Sequence, residues 1–326
     1  MGIPSGFKGL MTVGRDSVLV KEEHKFQWSG TNGINTSLTY TYGNLTGNPK
    51  RLYYKPDNSE AIITTSTGNI YSSTNGTTWT GKTSPVSSSI SGITYWASKS
   101  LWMLVEGKNV WTAPTNMSSW TLRGTSSENL KDIDAGLVTY NSTDTDYGIV
   151  AGDNGMTGYS TNGTSWSFLD ISTSSSRDFQ YVLIADKVIT ISGGNYSVGL
   201  YACENPTTTS SSNGGWRSVD KSSNGIRTAN VCVSGGGVKH IRFLNGKHWL
   251  TGSQSESHLV YDPDGNIYNQ WNVVYDNDNF RTGSIKDIAY GNNQYINIGR
   301  NQLYWNYSGG CSNGVVVTPN PQDQPF

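Results

Sequence analysis

Tyr71-Ser72-Ser73-Thr74-Asn75-Gly76-Thr77-Thr78-Trp79 and Tyr159-Ser160-Thr161-Asn162-Gly163-Thr164-Ser165-Trp166 are near copies of one another. Each follows an apolar run, Ala61-Ile62-Ile63-Thr64 in the first copy and Gly148-Ile149-Val150-Ala151 in the second. A Gly-containing turn separates that run from the aromatic. The unit is therefore strand, turn, short strand ending in an aromatic, then a polar turn from which a Trp re-enters. Self-similarity of this kind signals a repeat architecture before any single motif is weighed.

Carried outward, the aromatic that opens the polar turn recurs as Trp28, Tyr71, Trp111, Tyr159, Tyr201, Tyr261 and Trp305. The intervals, roughly 40–60 residues, suit a four-stranded propeller blade. The re-entering Trp recurs as Trp79, Trp120, Trp166, Trp216 and Trp271. Upstream of these lie paired apolar runs: Ile93–Trp96 with Leu101–Val105, Tyr181–Leu183 with Val188–Ile191, Ile241–Phe243 with Trp249–Thr251, and Ile288–Tyr290 with Tyr295–Ile298. Turns such as Asn245-Gly246 and Gly291-Asn292-Asn293 join such runs, and Gly and Asn tolerate the positive φ of hairpin turns. No window keeps a 3.6-residue apolar period, so no long helix is expected.

The reading is all-β: a seven-bladed β-propeller of four-stranded antiparallel blades, a ring that leaves few exposed strand edges. The long fifth interval, around Ser218–Gly237, leaves a six-bladed ring open. Leu10–Val13, Val18–Val20 and Val315–Val317 are expected beside one another at the closure. The domain is placed at residues 1–318, followed by an extended, Pro-rich tail at 319–326.

Charged residues make up only 14 % of the chain and the formal net charge is −1, so no field collects nucleic acid or an anionic membrane. Neither nucleic acid nor membrane insertion is expected. Gly, at 38 of 326 residues, is well above the usual ~7 %, as a turn-rich chain requires. The N-terminal Met1–Lys8 has neither the charged nor the apolar region of a signal peptide, so synthesis without export is expected. Cys203, Cys232 and Cys311 are odd in number and widely spaced, and are read as reduced thiols.

The two quoted segments resemble the Asp-box, or bacterial neuraminidase repeat, with Asn in place of the usual Asp; Asp262-Pro263-Asp264-Gly265 is a degenerate third copy. The resemblance implies a sialidase-like propeller and a structural role for Ser73, Asn75, Gly76, Trp79, Ser160, Asn162, Gly163 and Trp166. In the family these turns lie away from the active centre. Asn caps its own turn, Gly supplies the positive φ, and Trp fills the gap between strands. Sialidase chemistry, as the resemblance implies it, needs an arginine triad and an Arg-Ile-Pro segment. Here Gly2 precedes Ile3-Pro4, and the nine arginines form no such motif. No catalytic residue is carried over.

Other chemistry finds little footing. A two-carboxylate glycosidase draws its acid and base from separate blades, but the paired carboxylates here (Asp144 and Asp146, Asp262 and Asp264, Asp276 and Asp278) read as turn residues. None continues into a dedicated calcium loop. The four histidines lack metal-ligand spacing, so no metal and no cofactor is expected. The 11 Trp and 19 Tyr serve mostly between blades, with a minority able to stack on sugar rings from an exposed face.

Low charge, dense Ser/Thr/Asn/Gly and degenerate Asp-box turns together resemble propeller proteins of bacteriophage particles. That resemblance implies a non-enzymatic virion component of a tail, fibre or capsid decoration, made in the host cytoplasm. Its expected partners are other virion proteins and a host cell-surface glycan or receptor. The alternative is a glycoside hydrolase or lyase on a sialidase-like propeller, which a deep central pocket with two raised carboxylates would favour.

Overall fold

Strands that are buried on both faces betray a stack of sheets, and the second strands here have that character. Ala61–Thr65 is buried at every position, and the last six residues of Thr143–Gly152 are as well. The structure is a computed structural model. It describes residues 19–20, 40–41, 46, 49–55, 59–74, 79–171, 178–193, 200–219, 240–244, 246–251, 259–261, 272–273, 285–291, 294–300 and 313–319.

The described strands are β1 (Leu19–Val20), β2 (Tyr40–Thr41), β3 (Pro49–Tyr54), β4 (Ala61–Thr65), β5 (Ile70–Ser73), β6 (Thr80–Lys82), β7 (Gly92–Trp96), β8 (Leu101–Glu106), β9 (Asn109–Pro114) and β10 (Thr121–Thr125). They continue as β11 (Leu130–Tyr140), β12 (Thr143–Gly152), β13 (Met156–Ser160), β14 (Ser167–Asp170), β15 (Phe179–Ala185), β16 (Val188–Gly193), β17 (Leu200–Cys203) and β18 (Arg217–Ser218). Last come β19 (His240–Leu244), β20 (Lys247–Thr251), β21 (Leu259–Tyr261), β22 (Asn272–Val273), β23 (Ile285–Gly291), β24 (Gln294–Arg300) and β25 (Asn313–Pro319). The helices among the described residues are three short 3-10 turns.

Each sheet is a meander of antiparallel neighbours in chain order. Four blades, β3–β6, β7–β10, β11–β14 and β15–β18, have both their strands and their packing described. The sequence spacing counts seven units, so the described residues give four blades in full and not seven. Beyond them the backbone pairs β19–β22 as a further four-stranded sheet, β23–β25 as a three-stranded one and β1–β2 as a two-stranded one. Val315–Val317 pair with Ile296–Ile298, while Leu19 and Val20 pair with Thr41 and Tyr40. Among the described residues these closure strands thus belong to separate sheets; Leu10–Val13 lies outside them. Pro319, placed by the sequence at the start of the tail, ends β25 opposite Gln294.

The recurring aromatics Tyr71, Trp111, Tyr159, Tyr201 and Tyr261 all fall on third strands. The described re-entering Trp residues, Trp79, Trp120, Trp166 and Trp216, each stand immediately before a fourth strand, while Trp271 lies outside the described residues. Trp28 and Trp305 lie outside the described residues.

The core is a set of wedges between blades. Ile62 and Ile70 of the first blade meet Ile93, Trp102 and Leu104 of the second. Met103, Val105 and Trp96, from the other face of the second blade, meet Ile133, Val150 and Met156 of the third. Ile149 and Ala151 then meet Phe179, Ile189 and Trp216 of the fourth. Alternation along β8 and β12 sends successive side chains to opposite neighbours, the period of two that a pleated strand imposes. Fourth strands, by contrast, are largely exposed in β10 and β14. Burial thus falls from the second strand to the rim, as it must when flat blades radiate from an axis.

Candidate functional site at the propeller axis

First strands touch one another across successive blades, β3 with β7, β7 with β11, and β11 with β15. They therefore line the axis, where side chains from different blades converge. A one-residue bulge marks the start of β3, β11 and β15 at the same place, and a matching register shift occurs in β23. An extra residue in one strand re-aims the side chains that follow. The residues just past the bulge are Arg51, Asp132 and Tyr181, and these three meet.

Arg51 reaches across the axis. Its Nε donates to the Ser91 carbonyl at 2.7 Å and its Nη2 to the Lys131 carbonyl at 3.3 Å. The same Nη2 lies 3.9 Å from Asp132 Oδ1, and the guanidinium stands 5.2 Å over the Tyr181 ring. One side chain of the first blade thus touches the next three. Asp132 Oδ2 accepts the Val182 N–H at 3.2 Å, and Asp134 Oδ2 accepts the Ile184 N–H at 2.9 Å. The Thr94 hydroxyl donates to Asp134 Oδ1 at 3.1 Å. Asp132 and Asp134 share one face of β11, two residues apart, and each staples its blade to the next.

Burial, ahead of the neighbouring Asp132 charge, pushes the Asp134 carboxyl up to about 6 despite the hydrogen bonds that oppose the shift. Burial and then the Asp134 charge push the Tyr53 hydroxyl up to about 12. Tyr53 donates to the Tyr95 carbonyl at 3.4 Å, and Lys55 Nζ sits 4.7 Å from the Tyr95 ring centroid. The chemistry on offer is two cations, Arg51 and Lys55, two neighbouring carboxylates and three phenols. Both carboxylates already accept main-chain N–H groups, which ties them to architecture.

The complete Asp-box-like turn has the geometry its residues imply. Gly163 N–H donates to Ser160 Oγ at 2.9 Å, and the N–H groups of Thr164 and Ser165 both donate to Asn162 Oδ1 at 2.9 Å. Gly163 has φ +75°, and a Cβ there would lie 3.0 Å from Leu101 of the preceding blade. Trp166 packs with Phe168 beside Gly124 of the second blade. Its ring N–H is buried without a partner, so packing alone places it. In the first blade Ser73 is buried on β5 and Trp79 is half-buried before β6. Asn75 and Gly76 lie outside the described residues.

The carboxylates singled out in the sequence are elsewhere. Asp144 accepts from the Thr139 hydroxyl and pairs with Lys187 at 3.4 Å, while Asp146 accepts from Ser98 Oγ. Asp262, Asp264, Asp276 and Asp278 lie outside the described residues. No group of three His, Cys, Asp or Glu side chains able to hold a metal occurs among the described residues. The arginines with described side chains, Arg51, Arg123 and Arg217, do not converge: Arg123 bonds Thr112, and Arg217 pairs with Glu204. Burial pushes the Cys203 thiol up, which suits a reduced core residue. Sequence reading missed Arg51, Asp132 and Asp134. One signal was available: Lys131-Asp132-Ile133 recurs as Lys286-Asp287-Ile288 at the head of β23.

No family model matches the sequence, and no curated protein matches it as a relative. Solved structures resemble it in fold. The β-propeller domain of Myceliophteria thermophila Cps50 (Swd1) is similar at a TM-score of 0.54 with 6 % identity, over 78 % of this chain and 80 % of that one. The RRP9 WD40 repeats give 0.52 with 10 % identity, over 76 % and 71 %. An ancestral GH74 enzyme, AFV00434, gives 0.51 with 14 % identity, over 84 % of this chain but only 38 % of that one. At such identities the likeness establishes the β-propeller fold alone.

Proposed function

We propose that the chain is a non-enzymatic β-propeller, a closed ring of seven units, that serves as an interaction module on a bacteriophage particle. There it binds a host glycan or receptor, or joins neighbouring virion proteins. The observation that carries the non-enzymatic part is the engagement of Asp132 and Asp134 by the N–H groups of Val182 and Ile184. A carboxylate whose lone pairs hold the next blade in place is poorly free to move a proton to or from a substrate. The particle role rests on the low charge, the Ser/Thr/Asn/Gly-rich composition and the Asp-box-like turns, of which the 160–166 copy has the bonding of a structural turn.

The second reading is a glycoside hydrolase or lyase, and one observation favours it: Asp134 is raised to about 6, within the range of a general acid. The GH74 neighbour fits that reading in fold only. One experiment separates the two. The purified chain is incubated with a panel of oligosaccharides, and bound sugar and newly formed reducing ends are both measured. Retention without cleavage is expected; reducing ends that disappear in Asp134→Asn would overturn the proposal in favour of the enzyme.

A further inference from the structure

Among the four blades described in full, the third carries an arm that the other three lack. β11 and β12 pair along their whole length, from Leu130 opposite Gly152 to Tyr140 opposite Thr143, yet β13 pairs only with Gly148–Ala151. Residues 136–147 therefore extend beyond the third strand as a two-stranded ribbon whose Val138 and Tyr147 pack into the core with the fourth blade. Asn141 and Ser142 close it with φ of +48° and +61°, the conformation of a tight hairpin turn. The ribbon leans on the fourth blade: Thr139 N–H donates to the Lys187 carbonyl at 3.0 Å, and a Cβ on Gly136 would lie 3.0 Å from Ile184.

The opposite wall is the connection between β17 and β18. Gly214 in that connection makes room for Tyr140, since a Cβ there would fall 2.3 Å from the ring. Between ribbon and connection lies a notch of about 270 Å³, lined among others by Tyr140, Thr143, Thr145, Tyr147, Glu204 and Asn205. It opens on the face that carries the first-to-second and third-to-fourth strand turns, away from the axial cluster's staples.

The lining is that of a sugar site. Tyr140, half-buried, offers ring surface for the apolar CH face of a pyranose above the buried Tyr147, and the threonine hydroxyls and the Glu204 carboxylate offer partners for its hydroxyls. Asn205 is fixed in place: its Nδ2 donates to the Asn213 carbonyl at 3.1 Å and its Oδ1 accepts from Thr207 Oγ1 at 2.7 Å. The notch walls are thus set before any ligand arrives, which limits the ordering that binding has to impose. The one charged side chain of the lining, Glu204, is matched by Arg217 at 3.0 Å, so the lining favours a neutral ligand. The volume lies just under the ~300–1,000 Å³ of ligand pockets in general and admits one ring, with the rest of a chain outside.

We propose that the notch between the 136–147 ribbon and the 204–216 connection binds a single pyranose unit of a neutral glycan. The proposal rests on the reading of the chain as an interaction module and deepens it by naming the site and the ligand class. The test titrates the full chain by calorimetry with neutral glucose, mannose, galactose and N-acetylhexosamine oligosaccharides, and with a uronate oligomer as contrast. A Kd on the order of 1 mM or tighter is expected for a neutral sugar. Tyr140→Ala should weaken it about tenfold and Thr143→Val about threefold, while Leu122→Ser on β10 leaves it unchanged. Should Tyr140→Ala fail to fold, Thr143→Val at the exposed ribbon edge decides the matter. Binding unaltered in the notch variants overturns the site but keeps a glycan-binding module. Preference for the uronate overturns the neutral ligand. No binding to any sugar overturns this inference, and the loss is then distinguished from failure of the module reading by whether the chain still assembles on a particle.

Discussion

The turn at 160–166 and the cluster at the axis hold the molecule together by opposite means. Every bond in the turn joins atoms two or three residues apart, from Ser160 Oγ to the N–H of Gly163 and from Asn162 Oδ1 to those of Thr164 and Ser165. At the axis, Arg51 bonds the Lys131 carbonyl 80 residues away, and Asp132 and Asp134 bond N–H groups 50 residues away. The turn shapes one blade. The axis joins blades, and it places Asp134 where burial raises its pKa. Stability that depends on pH should therefore reside at the axis, and stability that does not should reside in the turn.

Trp166→Ala gives the largest expected effect, about 3 kcal/mol of unfolding free energy. Trp166 lies packed with Phe168 against the second blade, and aromatic deletions in cores cost about 3–5 kcal/mol; its partial exposure places it at the lower end. Denaturant melts measure it, and a loss below about 1 kcal/mol would show that the turn's reach into the neighbouring blade is unimportant.

Next comes Asp134. Its folded acidity constant, about 6, lies above the usual carboxylate value near 3.8, so the native state holds a proton that the unfolded chain releases. Stability from this group is fully present below about pH 4, declines as pH rises through 6 and is flat above, a loss of about 2–3 kcal/mol. Asp134→Asn should remove that decline in melts run from pH 4 to 7. An unchanged slope would place the pH dependence away from the axis.

Asn162→Ala should cost about 1 kcal/mol, since two side-chain bonds to the main chain are lost at an exposed turn. The cost should be the same at pH 4 and pH 7. Asn162→Asp, the residue usual in the Asp-box, should restore most of it. A pH-dependent cost for Asn162→Ala would break the contrast between the two regions.

Legibility follows the same division. The strand pairs Ile93–Trp96 with Leu101–Val105 and Tyr181–Leu183 with Val188–Ile191 were readable because apolar runs joined by short turns pair locally. So was the position of each described re-entering Trp ahead of a fourth strand. Asp132 and Asp134 were not readable as a site, because a polar residue alternating with Ile133 looks the same whether its face meets solvent or an axis. The bulges that aim Arg51, Asp132 and Tyr181 are register shifts between strands, and a single strand's sequence does not display its register.

The sequence by itself determined the repeat, the antiparallel meander within each blade and the internally capped turn at 160–166. All of these depend on contacts between residues near in the chain, whose spacing the order of residues sets. Only the tertiary structure decided which side chains meet at the axis, that the two carboxylates there serve as staples, and that the 136–147 ribbon and the 204–216 connection enclose a notch. Those arrangements arise when blades pack against one another, and the closeness of residues from separate blades is fixed by the stacking of whole sheets.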